Sequence, residues 1–316
     1  MAGLYVRDKY LFSRSREGKF AGRETQVTGR VLYVAPTTAA AAGFTVGAAQ
    51  SWARDLNQFV YDTVNLAYAA AVDGRGDAIV LLPGTHTLTA NIAVAKAGVS
   101  FWGPEAWLGI DAQRPSATIV PLAATDGFTV TAPDVSFRGV TIVPITQKVG
   151  ITGSALALRL KAIGCHLDMN VAVAHTSTKG ITATGAAVDW LIKGNTFYSL
   201  GAHGPFIDVT GLLNYSIKEN DFIVLTGGTM AVGILVGAAA QGLIAKNNFF
   251  GGTLTAAISG TGATVAASCR IFENRFGVLC TVPVDNFSAT NLTDLCLNYV
   301  ATIGAGTGGT LVSVNT

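Results

Sequence analysis

The chain has 316 residues, half of them hydrophobic and only 13% charged, with 37 glycines, 9 prolines and a formal net charge of +2. That composition is too apolar for a disordered chain and lacks the strict glycine period of collagen. No apolar run approaches the roughly 18 residues of a membrane helix, and no apolar h-region follows 1–9, so neither a membrane span nor a conventional secretory signal is expected.

Residues 1–30 read as a basic leader or attachment arm, in which Arg7, Lys9, Arg14, Arg16, Lys19, Arg23 and Arg30 stand against Asp8, Glu17 and Glu24. A basic arm suits an acidic surface. The interleaved Tyr5, Tyr10, Leu11, Phe12 and Phe20 point to docking on protein, so nucleic acid is not the expected partner.

Residues 31–34 form a first short strand ended by Pro36, and a loop of small residues follows. Leu56, Val60, Val64, Ala67 and Ala71 then recur at helical spacing. This predicts an amphipathic helix over 51–71, with Ser51 as N-cap and Gly74 and Gly76 to stop it. Residues 79–82 are a short apolar run bounded by turn formers, as in a strand covered on both faces, and 99–102 form another. His86, just after Pro83-Gly84, reads as a loop residue.

The informative signal is an internal repeat. Ile192-Lys-Gly-Asn-Thr-Phe197 is followed by Ile217-Lys-Glu-Asn-Asp-Phe222, Ile244-Ala-Lys-Asn-Asn-Phe249 and Ile271-Phe-Glu-Asn-Arg-Phe276. The asparagines Asn195, Asn220, Asn247 and Asn274 are 25, 27 and 27 residues apart, and weaker copies occur at 137–142 and 160–165. A leucine-rich repeat has a similar period but needs a denser leucine ladder and a different asparagine context. β-Branched and aromatic residues at alternate positions, with no helical stretch after them, predict all-β coils. Stacked about 4.8 Å apart, such coils place Ile192, Ile217, Ile244 and Ile271 in one internal column and Phe197, Phe222, Phe249 and Phe276 in another. The asparagines then form a structural column at the bend between sheets, where Asn tolerates left-handed backbone and bonds to neighbouring peptide groups.

Beyond Cys280 the repeat loosens: 286–298 reads as an irregular coil, and 299–316 as a C-terminal cap or oligomer contact covering the last open edge. The domain reading is an arm at 1–30, a β-helix at 31–298 and a cap at 299–316. Cys165, Cys269, Cys280 and Cys296 show no paired metal spacing and are expected as buried thiols.

Few residues carry chemistry. His166 and Asp168 stand at i, i+2 and so share one face of a strand. Asp189 is the third catalytic candidate, through pairing with Asp208 or Asp221 on an adjacent coil, and Lys193 and Lys218 would add positive charge nearby. His175 and His203 lack metal-ligand spacing, and no phosphate loop is present. No metal and no cofactor are expected.

The helix at 51–71, Gly76-Asp77 with Pro83-Gly84, 99–103 and the Ile-x-x-Asn-x-Phe coils together resemble the pectate-lyase-like superfamily, over about residues 50–280. The similarity is greatest to non-catalytic or carbohydrate-binding members of bacteriophage virions and tailspikes. The resemblance implies an all-β, single-stranded right-handed parallel β-helix solenoid with an N-terminal capping α-helix, and a homotrimer as a common arrangement. It implies a virion structural or decoration protein, non-enzymatic, contacting other virion proteins. The alternative is a tailspike-like protein that binds or cleaves a surface glycan. The family's lyases carry calcium-binding acids and an arginine, and its hydrolases clustered aspartates; neither pattern maps onto this chain.

Overall fold

The computed structural model describes residues 29–39, 59–103, 117–121, 125–144, 148–169, 178–237, 241–261, 269–277, 280–285, 292–296, 298–300 and 310–312. The described residues form an all-β parallel solenoid with almost no helix among them. An 11-stranded sheet and a 17-stranded sheet wrap one apolar interior, and nearly every pairing joins strands one circuit apart in sequence. Alternation decides what lies inside: strands such as Thr196–Ser199 bury every second residue, and the others face outward.

The register turns the repeat into columns. In the first sheet Leu32, Ile79, Phe101, Phe137, Ala162, Ile192, Ile217, Ile244 and Ile271 lie above one another. The stack therefore begins at the first strand, Val31–Val34, well before the first recognisable copy of the motif. In the second sheet His86, Ile119, Ile142, Leu167, Phe197, Phe222, Phe249 and Phe276 form one line. Its four phenylalanine rings stack at 4.9, 4.6 and 5.3 Å between centroids, with interplanar angles of 20° or less. This offset stacking adds to the gain from burial.

At the corner between the sheets the chain leaves the strand ladder, and its buried peptide groups need other partners. The asparagines supply them. Asn220 Oδ1 accepts from the backbone N–H and the side-chain amide of Asn195, both at 2.9 Å. Its Nδ2 donates to Asn247 Oδ1 at 2.9 Å and to the Ile192 carbonyl at 3.1 Å. Both donors and both lone pairs are thus used. Asn247 and Asn274 repeat the arrangement, and Asn298 extends it by one rung, accepting from Asn274 and donating to the Ile271 carbonyl. At the other end Asn195 Oδ1 accepts from the Cys165 backbone at 2.8 Å.

The left-handed residue at this bend is the one before the asparagine. Gly139, Gly164, Gly194, Glu219, Lys246 and Glu273 all have φ between 53° and 63°. Asparagine occupies the corner for its amide, not for its tolerance of that conformation. Within 286–298, Leu292–Cys296 pairs in parallel with Cys269–Phe272 through a register shift at Cys269/Arg270, an irregular coil as expected, and Asn298–Val300 pairs in parallel with Arg275–Phe276.

The helix expected over 51–71 is much shorter. Residues 51–58 lie outside the described ones, Phe59–Tyr61 is a strand paired with Val31–Val34, and only Val64–Ala70 (α1) is helical. Phe59-Val60-Tyr61 is β-branched and aromatic, so pairing with an open edge overrides a helical spacing carried by few residues. Thr63 is the N-cap of α1, its side chain accepting from Leu66, and the expected cap Ser51 lies outside the described residues. Lys96 Nζ caps the other end by donating to the carbonyls of Tyr68, Ala69 and Ala71 at 2.7–2.8 Å.

Short antiparallel strands lie at both ends of the second sheet. Thr38–Ala39 runs against the start of Gly84–Leu88, and Thr310–Val312 runs against Asn298–Val300. No helix among the described residues is long and apolar enough to cross a membrane. Residues 1–28, with the arm candidates Arg7, Lys9, Arg14, Arg16, Lys19 and Arg23, lie outside the described ones.

Two predictions follow from the interior. Asn247→Asp keeps shape but replaces two donated hydrogen bonds with a buried carboxylate facing the Asn274 and Ile217 oxygens. It should cost at least ~3 kcal/mol in urea unfolding at neutral pH. His86 is no loop residue: it lies in strand Gly84–Leu88, fully buried, with Nε2 donating to the Leu82 carbonyl at 2.8 Å and Nδ1 unpartnered. Burial pushes its pKa down from 6.5 to about 4. The unfolded chain then binds more protons below pH 6.5, so the contribution is complete above that pH and falls away toward pH 4, by ~3 kcal/mol in all. His86→Ile, matching Ile119 on the next rung, should flatten this acid limb in a pH series of unfolding midpoints.

Candidate functional site

Outward-facing residues of the second sheet form two columns beside the His166–Asp168 pair. Strand His166–Met169 buries Leu167 and Met169, which turns His166 and Asp168 outward together. On the next rungs, in register, come Thr196 and Tyr198, Asp221 and Ile223, Asn248 and Phe250, then Arg275. One column thus runs His166, Thr196, Asp221, Asn248, Arg275, and the other Asp168, Tyr198, Ile223, Phe250. Leu200, just past the Thr196–Ser199 strand, and Phe250 are 40% and 44% exposed.

Partial burial pulls the His166 pKa below its ordinary value, and the Asp168 charge only partly offsets this. Neutral imidazole is therefore the dominant form at pH 7. Asp221 is already engaged, since Asn248 Nδ2 donates to its Oδ1 at 2.7 Å. Asp168 and Asp221 share the face but sit two rungs and one pleat repeat apart, ~12 Å between Cα atoms. Glycoside hydrolysis needs two carboxyls about 5 to 10 Å apart, with one kept protonated. At this Cα spacing the two are not the close pair that a retaining mechanism uses.

The third catalytic candidate lies elsewhere. Asp189 occupies the left-handed turn entering the first-sheet strand Trp190–Lys193, at φ 62°, and accepts from Asn214 Nδ2. Asp208 lies in strand Ile207–Val209, held by Lys179 Nζ at 2.6 Å and by the Thr210 hydroxyl at 2.8 Å. Asp189, Asp208 and Asp221 therefore do not converge. Lys193 and Lys218 are register partners on the first sheet, so they add no charge beside His166. His203 is buried and His175 lies outside the described residues. No group of three or more His, Cys, Asp or Glu suited to a metal occurs among the described residues. Cys165 and Cys269 are buried free thiols, and Cys280 is half-buried.

A different order unites the acids. Asp134 accepts two hydrogen bonds from the Arg159 guanidinium at 2.7 and 2.6 Å, which holds its carboxyl below the usual range. Lys193 pairs with Glu219, and Lys246 with Glu273, both at 3.4 Å. Together with Asp189–Asn214, Lys179–Asp208 and Asp221–Asn248, these are six ties whose partners lie 25 to 29 residues apart, one circuit of the solenoid. Sequence reasoning treated the acids as candidates for chemistry and missed this. The recurring 25–27 interval also separates acids from bases and amides, and that was the available signal.

No family model and no curated protein matches the chain. Among solved structures it is similar to a PL6 family alginate lyase, AlyGC, at 12% identity and a TM-score of 0.51, over 87% of this chain and 40% of that one. It also aligns with ORF18 of Geobacillus virus E2, at 15% identity and a TM-score of 0.29, over 79% of this chain and 60% of that one. The chain thus spans less than half the length of the lyase. At this identity the likeness to the lyase shows the shared β-helix fold alone.

Proposed function

We propose that the chain is a non-enzymatic structural or decoration protein of a bacteriophage virion, a right-handed β-helix that assembles as an oligomer on the particle. In this reading 1–30 is the attachment arm, α1 caps the N-terminal end and 299–316 caps the other. The carrying observation is the use of the carboxylates. Six acids among the described residues each tie one rung to a neighbour, so these carboxylates serve the stack. The antiparallel strand Thr310–Val312 on the last rung supports the capping role, since it occupies an edge that would otherwise accept another strand. Placement on a virion draws on the family resemblance of the sequence.

A second reading, tailspike-like glycan binding or cleavage, draws on Tyr198 and Phe250 standing outward in one column with Asp168. Immunogold electron microscopy of purified phage particles, with the chain also incubated on host envelope polysaccharide and assayed for new chain ends, separates the two. Label on particles and no new ends is the expected result. Unlabelled particles together with released oligosaccharide would reverse the assignment.

A further inference from the structure

We propose that the charged residues at the two left-handed corners are rung keys, whose alternating signs reject any pairing of coils that skips a rung. The inference is independent of the virion reading. Among the described residues, six that are not glycine have positive φ, between 53° and 62°, and all six are charged: Asp134, Arg159, Asp189, Glu219, Lys246 and Glu273. They form two sets of three. Asp134, Arg159 and Asp189 precede the consecutive first-sheet strands Ser136–Arg138, Lys161–Ile163 and Trp190–Lys193, on the corner entering that sheet. Glu219, Lys246 and Glu273 follow the consecutive strands Asn214–Lys218, Gln241–Ala245 and Cys269–Phe272, on the corner leaving it. Each set reads acid, base, acid.

Stability does not explain this choice. A residue with a Cβ is strained in left-handed backbone, and the second corner uses Gly139, Gly164 and Gly194 on earlier rungs. The ion pairs these side chains make are more than a third exposed on both partners, where a pair returns little. Glycine would therefore serve each corner at least as well.

What glycine does not supply is rung order. Side-chain alternation blocks a slip of one residue, but a slip of a whole rung brings isoleucine over isoleucine and phenylalanine over phenylalanine, as in the native stack. The asparagine column is equally indifferent, since every rung offers the same amide. Inside, Tyr215 over Gly242 depends on order, and it covers a single step. The corners distinguish the others. In the native stack Asp134 accepts from Arg159, which also feels the Asp189 charge, while Lys193 meets Glu219 and Lys246 meets Glu273. Omitting one rung would set Asp134 beside Asp189, Lys193 beside Lys246, or Glu219 beside Glu273, like charges ~4.8 Å apart along the stack. Closure entropy grows slowly with loop length, so a looped-out coil competes while the chain folds even though it buries less than the native state.

The test is refolding of the full chain by dilution from urea, reading the fraction that regains the native unfolding midpoint. Glycine at all three positions of the second set (Glu219→Gly, Lys246→Gly, Glu273→Gly) should leave the midpoint equal or higher and cut the refolded fraction at least ~3-fold. Lys246→Glu, which puts acids on three successive rungs, should cut it further. Reversing four signs together (Lys193→Glu, Glu219→Lys, Lys246→Glu, Glu273→Lys) keeps the alternation and should refold within ~2-fold of the parent. At ~1 M salt, where exposed charges are screened beyond ~3 Å, the parent should fall to the yield of the glycine variant. A glycine variant that refolds as well as the parent would overturn the proposal, as would a sign-reversed variant that is stable once folded yet refolds no better than the glycine one. So would a lowered midpoint in the glycine variant, which would make these residues ordinary stabilising contacts.

Discussion

The asparagine column at the corner between the two sheets is the constraint on which the rest of the structure depends. Every circuit must leave one sheet and enter the other, and at that corner the peptide groups are buried without a strand partner. Each amide from Asn220 to Asn274 accepts two hydrogen bonds from one neighbouring rung and donates to both sides. Because each rung satisfies the one before it, the repeat cannot slip by a residue without leaving several buried polar groups unpaired. The column therefore fixes register over the rungs from Asn195 to Asn298, and register there places the other side chains.

With register fixed, the interior becomes a set of lines instead of a general apolar phase. The phenylalanine rings stack because the residue at that position always returns to the same point of the circuit. Departures from a line show how tightly space is filled. Tyr215 lies in register with Gly242, where a Cβ would stand 2.7 Å from its ring carbons, and its hydroxyl reaches the Cys269 sulfur on the rung beyond at 3.4 Å. A missing side chain on one rung thus makes room for a long one from the rung before.

The exterior obeys the same geometry with different chemistry. Acids, amides and bases recur at the period of the circuit and hold one another across rungs, while one face of the second sheet keeps a short apolar row. Exposed ion pairs contribute little each. Their use here is to engage six carboxylates in holding neighbouring rungs together.

Much of this was legible in the sequence. The Ile-x-x-Asn-x-Phe recurrence specifies parallel stacked coils and two of the inward columns, because a periodic interior leaves a periodic text. The sequence also placed His166 and Asp168 on one strand face, a consequence of the two-residue pleat. It made the strands at 31–34, 79–82 and 99–102 legible too, but did not show that Leu32, Ile79 and Phe101 fill the isoleucine column, since the asparagine that marks the motif is missing there. Nor did it reveal the inward turn of His86 or the strand at Phe59–Tyr61, since both depend on which edge a short segment meets. Asp189, Asp208 and Asp221 are close in the chain, yet only the circuit of the solenoid decides that they face different ways. The sequence determined which residues repeat; the tertiary structure decided which of them meet, because contact between rungs depends on the path of the chain around the coil and not on the interval alone.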